Sequence, residues 1–112
     1  MDEFKFNSKR FDCPIVLFLD LIGGKWKSLI LWNLKDGTKR YGEIRKLLKE
    51  VTPKMLTQQL RELEDDGIIM RKVYAEVPPK VEYTLTELGE SIMQVVWEMR
   101  NWGLKYHVQK EL

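Results

Sequence analysis

The sequence predicts a mainly α-helical fold with a small β-hairpin, arranged as a winged helix-turn-helix. Three observations predict it. Two short helical patterns, 42–48 and 53–66, are joined by a tight turn. A hairpin pattern follows at once over 68–85. Apolar helical patterns at 12–23 and 86–107 stand at the two ends and carry more apolar surface than one small core needs. The 112 residues suit one domain, taken as 1–112, with 42–66 as the helix-turn-helix and 68–85 as the wing.

Met1 to Phe11 reads as an extended or loosely ordered arm. Pro14 suits the first position of a helix, with Asp12 or Cys13 as its cap. That helix is apolar nearly all round and ends at Gly23-Gly24. A second helix, about Lys25 to Leu34, places Trp26, Leu29, Ile30 and Leu34 on one side. Asp36-Gly37 is a turn, Thr38 to Tyr41 a short strand, and Gly42 to Leu48 a helix with Ile44, Leu47 and Leu48 as its apolar face. Thr52 and Pro53 open the next helix as N-cap and first residue, Leu56, Leu60 and Leu63 give it an inner stripe, and Gly67 ends it. Ile68 to Tyr74 and Val81 to Leu85 form the hairpin around a loop at Ala75 to Lys80. Thr86 caps the last helix, whose apolar positions include Leu88, Ile92, Val95, Val96, Met99 and Trp102.

Net charge is only +2, but it is unevenly spread. Residues 36–61 hold seven basic and three acidic side chains, whereas 86–112 hold three basic and four acidic ones. A basic middle and a near-neutral tail suggest one face for an anionic polymer and another for a different contact. The single cysteine, Cys13, excludes an intramolecular disulfide and suits a reducing compartment. The N-terminus lacks the apolar core of a signal peptide, and Ile15 to Ile22 is too short to span a bilayer, so a cytoplasmic location and no membrane partner are expected. With one histidine (His107), no paired cysteines, no glycine-rich phosphate loop and no nucleophile–base pair, no enzyme, metal or cofactor is expected. Glu62, Glu64, Asp65 and Asp66 read as helix-surface charges.

On a wheel of roughly 100° per residue, Leu56, Leu60 and Leu63 face the core and Lys54, Gln58, Arg61 and Asp65 face away, with Thr57 at the flank. A lysine, a hydroxyl, an amide and an arginine are the groups that work in a major groove: Gln pairs with adenine, Arg with guanine, and Thr meets a thymine methyl. Lys39, Arg40, Thr52 and Lys80 are the candidate backbone contacts. Arg71 and Lys72 add charge to the hairpin, while Glu76 opposes it. The expected partner is therefore a double-stranded operator. A palindromic site demands a two-fold protein with reading helices roughly 34 Å apart. Ile15, Phe18, Leu19 and Ile22 of the first helix, with Ile92, Val96, Met99 and Trp102 of the last, are the candidate homodimer interface.

Three segments resemble the HxlR-type helix-turn-helix regulators, relatives of the MarR regulators: CPIVLFLDLIGGKWKSLILWNL at 13–34, TPKMLTQQLRELEDDGII at 52–69 and VYAEVPPKVEYTLTELG at 73–89. The resemblance implies a winged-helix bacterial regulator that dimerises through its terminal helices and represses or activates a nearby promoter, with repression the expected sense. It implies that Pro53 to Asp66 is the recognition helix and Ala75 to Lys80 the wing tip. It also directs attention to Cys13, since several such regulators sense electrophiles or oxidants through a cysteine just before this proline. A thiol at a helix N-terminus near Lys9 and Arg10 is compatible with that role, Asp12 works against it, and an inert small apolar residue is the competing reading. Two rivals remain for the function: a winged helix that binds protein only, and a regulator whose effector is a small aromatic molecule held by Trp26, Trp97 and Trp102.

Overall fold

The computed structural model describes residues 4–6 and 9–107. The outermost parts of the expected 1–112 domain, and Asn7 and Ser8 of the N-terminal arm, lie outside them. The elements run β1 (Phe4–Phe6), β2 (Lys9–Phe11), α1 (Pro14–Ile22), α2 (Trp26–Leu34), β3 (Lys39–Arg40), α3 (Tyr41–Leu47), α4 (Pro53–Asp65), β4 (Ile69–Tyr74), β5 (Lys80–Leu85) and α5 (Glu87–His107). The arm is a small antiparallel ladder, with Lys5 opposite Arg10 and Phe6 opposite Lys9. Phe6 rests against the core, which gives this charged segment a reason to pair.

The wing is a three-stranded sheet in the order β3-β5-β4. β4 and β5 pair from Ile69–Leu85 to Tyr74–Lys80, and β3 adds Lys39–Tyr83 and Arg40–Glu82 on the other side of β5. The Thr38 and Thr84 hydroxyls meet at 2.8 Å beside this junction. The sheet is thereby tied to the chain immediately before α3, so the wing and the helix-turn-helix form one body.

α4 follows from its sequence. Thr52 accepts a hydrogen bond from the Met55 amide at 3.1 Å, and Pro53 has no amide to leave unpaired at the first position. Leu56, Leu60 and Leu63 are fully buried or nearly so. Gly67, at φ +76°, makes the left-handed turn that sends the chain into β4. α5 is capped by Thr86, whose Oγ1 accepts from the Gly89 amide at 3.1 Å. Cys13 occupies the N-cap of α1, but its side chain makes no cap hydrogen bond.

The core gathers Ile30, Leu31 and Leu34 of α2, Ile44 of α3, the α4 leucines, Ile68, Ile69, Tyr83, and Ile92, Met93 and Val96 of α5. Two expected inner positions face out: Leu29 and Leu47 are exposed, whereas Leu31 is buried in place of Leu29, and Leu48 is buried as expected. Three expected interface residues are core residues. Ile22, Ile92 and Val96 are 3%, 6% and 5% exposed, because the end of α1 and the inner stripe of α5 close the protomer's own interior.

Candidate nucleic-acid interface

The candidate reading face lies on the side of α4 opposite its leucine stripe. Lys54, Thr57, Gln58 and Arg61 all stand on the exposed side of this helix, as the wheel requires. The angle between α3 and α4 is braced by the Tyr41 hydroxyl, which donates to the Pro53 carbonyl at 3.4 Å. Thr52 is exposed at the same end, with its oxygen already used as a cap and its O–H left to turn outward.

The carboxylates behind this face are more than surface charges. Glu62 Oε1 lies 2.7 Å from Nζ of Lys27, a lysine buried in the floor of α2. Its other oxygen accepts from Gln58 Nε2 at 3.1 Å. The Lys27 hydrogen bond, with help from Gln58, holds the Glu62 carboxyl below the usual carboxylate range. Glu64 pairs with Arg71 Nε at 3.5 Å. That pair places Arg71 beside Thr57 and Arg61 on a shallow recess of about 170 Å³ between α4 and the wing, floored by Tyr83. Arg71 thus joins the face. The signal for it in the sequence was its register, one strand residue opposite a buried tyrosine, which only the sheet pairing reveals.

Lys39 and Arg40 lie on β3 at the foot of the wing, and the Arg40 amide donates to Glu43 at 2.9 Å as α3 begins. Lys80 does not stand at the wing tip. It opens β5, pairs with Glu82 at 3.4 Å and covers the Tyr74 ring at 4.8 Å. Tyr74, then Lys80 and Arg40, keep Glu82 below the ordinary glutamate range. The tip itself carries the acid Glu76 and an exposed Val77, so the cations flank the tip. Lys72, whose ammonium sits 4.9 Å from the same Tyr74 ring, is exposed on β4.

Away from this face, Ile15, Leu19, Met99 and Trp102 are half or more exposed, and Phe18 is partly buried. Cys13 is half-buried at the start of α1, and Lys9, its expected cationic neighbour, pairs with Asp20 at 3.6 Å. The expected tryptophan pocket has a different lining. An apolar cleft of about 510 Å³ between α2 and α5 is walled by Leu29, Trp32, Val96 and Met99, with Lys25 and Arg100 at its edge. Trp97 packs edge-on against Trp32 at 4.8 Å from outside the lining, and Trp26 and Trp102 take no part in it. Among the described residues, no group of three His, Cys, Asp or Glu is placed to hold a metal ion, and no helix is long and apolar enough to cross a membrane.

Two helices joined by a tight turn, α3 and α4, followed at once by a three-stranded wing, define a winged helix-turn-helix transcriptional regulator. Residues 21–111 match the family described as HxlR-like helix-turn-helix. The chain is 54% identical over 102 residues to the uncharacterized HTH-type transcriptional regulator YdeP of Bacillus subtilis, covering 90% of this chain and 80% of that one. Among solved structures it is similar to the redox regulator HypR in its reduced form, with TM-score 0.83 and 46% identity over 89% of this chain and all of that one. It is also similar to the reduced transcriptional regulator YodB of B. subtilis, with TM-score 0.73 and 39% identity over 86% and 95% of the two chains. The chain belongs to the HxlR-like helix-turn-helix family and is a transcriptional regulator.

Proposed function

We propose that this regulator works in the cytoplasm as a homodimer, represses transcription from a palindromic operator, and releases it when Cys13 is modified. The observation that carries the DNA half is the exposed Lys54, Thr57, Gln58 and Arg61 on α4, with Arg71 alongside and a rigid leucine stripe behind. Those side chains offer base-edge contacts, while Lys39 and Arg40 on β3, Thr52 at the start of α4 and Lys80 on β5 are the groups that hold backbone phosphates. The test is titration of the selected operator at several salt concentrations. Log affinity should fall steeply and linearly with log salt, whereas an apolar protein partner would bind with little salt dependence. Arg61→Ala and Gln58→Ala should each weaken operator binding by about tenfold while random duplex binding changes little. Wild-type operator affinity in both folded variants would rule out α4 as the reading helix.

The redox half draws on the half-buried thiol at the start of α1 and on the likeness to HypR, a redox regulator. With one cysteine per chain, the product is a thiol adduct or a bridge between subunits. Cys13→Ser should bind the operator normally and stay bound when a maleimide or diamide is added. Release of that variant by the same reagent would remove the thiol from the mechanism. A second reading, an aromatic effector, has the α2–α5 cleft in its favour, and there a ligand would quench Trp32 fluorescence.

A further inference from the structure

We propose that Lys27 and Glu62, which do not touch DNA, set the base preference of α4 by fixing which way the Gln58 amide faces. The proposal rests on α4 as the reading helix. Lys27 is 7% exposed, and a lysine so placed needs a carboxylate partner. It finds Glu62 at 2.7 Å across the α2–α4 contact, which holds a side chain that would otherwise sample many rotamers. The remaining Glu62 oxygen then meets Gln58 Nε2 at 3.1 Å.

An ionised carboxylate can only accept. Of the two ways the Gln58 amide can lie, only the one with its NH₂ toward Glu62 makes this bond. Oε1 is then left for the groove, together with the second amide hydrogen, the one on the oxygen side. An acceptor and a donor side by side match the N6–H and N7 of adenine. The opposite amide orientation exchanges the two groups, which sets the NH₂ against the N6–H of adenine and favours an acceptor at that place, the O6 of guanine or the O4 of thymine. The half-buried ion pair therefore sets the preference at one base step in each half-site, from a position behind the reading face.

The experiment is selection of bound sites from randomised duplexes by the full-length protein, its Glu62→Gln, Lys27→Met and Gln58→Ala variants, and the Gln58→Ala/Glu62→Gln double variant. Thermal unfolding confirms that each is folded. Wild type should prefer adenine at the step whose preference Gln58→Ala loses. In Glu62→Gln the new amide keeps its oxygen on the Lys27 ammonium and turns its NH₂ to Gln58. The Gln58 amide then reverses. Adenine should lose about tenfold at that step and guanine or thymine should gain, with the other steps unchanged. Lys27→Met should relax the same step without reversing it. The double variant should look like Gln58→Ala alone. An unchanged adenine preference in folded Glu62→Gln, or a uniform loss across all steps, overturns the proposal whether or not Lys27→Met folds. A wild-type preference for guanine or thymine at the Gln58 step also overturns it. If Gln58→Ala alters no step at all, the assignment of α4 itself fails, and that result is distinct from the others.

Discussion

At the scale of single residues, the side chains that matter most are those whose partners come from another element. Glu62 sits on a helix rich in charge, and its i, i+4 neighbour Gln58 is visible in the sequence. Its stronger partner, Lys27, is 35 positions earlier and becomes visible only once α2 packs on α4. The pairing has a consequence for stability. Lys27 depresses the folded-state pKa of Glu62 below its ordinary value of 4.5, so the folded protein binds this proton less readily than the unfolded chain. The contribution is present in full above that ordinary value and is lost as pH falls through the lower folded value. Urea unfolding between about pH 6 and about pH 3 should therefore show wild type losing its advantage over Glu62→Gln as the pH drops. The Glu62 side chain is 41% exposed, so solvent screens the pair and the difference should be modest. Asp36 and Glu82 titrate in the same range but are common to both proteins, so the difference isolates Glu62. Parallel curves would show that the pair adds nothing to folding.

At the scale of elements, much was legible because local chemistry and tertiary demand agree. Thr52-Pro53, the leucines at 56, 60 and 63, and Gly67 define α4 from cap to turn, and each performs its expected part. Less was legible where a helix is apolar on more than one side. In α2 the spacing puts Leu29 on the inner side and passes over Leu31, but the packed helix buries Leu31 and leaves Leu29 exposed. The β1–β2 ladder escaped a reading based on apolar alternation because its strands are short and charged. A further element-scale contact is invisible in sequence: α5 crosses the start of β4 so closely that a Cβ on Gly89 would lie 2.3 Å from the Ile68 carbonyl oxygen and 3.2 Å from Leu85. The Ile68 carbonyl is the obstruction that cannot give way, since it is backbone that accepts from the Thr86 amide and hydroxyl. Gly89→Ala should therefore destabilise the fold by about 1–3 kcal/mol despite alanine's better helix propensity. Thermal or urea denaturation checks this, and a variant as stable as wild type would mean that α5 can shift off the sheet at little cost.

At the scale of the whole molecule, the terminal helices have divided their apolar surface. One share closes the core, and it includes Ile22, Ile92 and Val96, which periodicity alone could not separate from interface positions. The other share, Ile15, Val16 and Leu19 on α1 with Val95, Met99 and Trp102 on α5, remains open. Exposed apolar groups in such number are costly to hydrate, and a second copy would cover them. The proposed dimer would also raise affinity, since the second copy of α4 would bind as an intramolecular step at high effective concentration. Leu19→Glu and Trp102→Glu put a charge into the open share while leaving the core stripe untouched. Both variants should keep the wild-type helical content and sediment as monomers at micromolar concentration. Their affinity for a full operator should fall by at least about tenfold, while affinity for an isolated half-site stays near that of wild type. A variant that loses half-site binding as well would have been damaged in α4 rather than in assembly. Full operator affinity in a demonstrated monomer would mean that one reading helix and its wing suffice, and the two-fold arrangement would have to be abandoned.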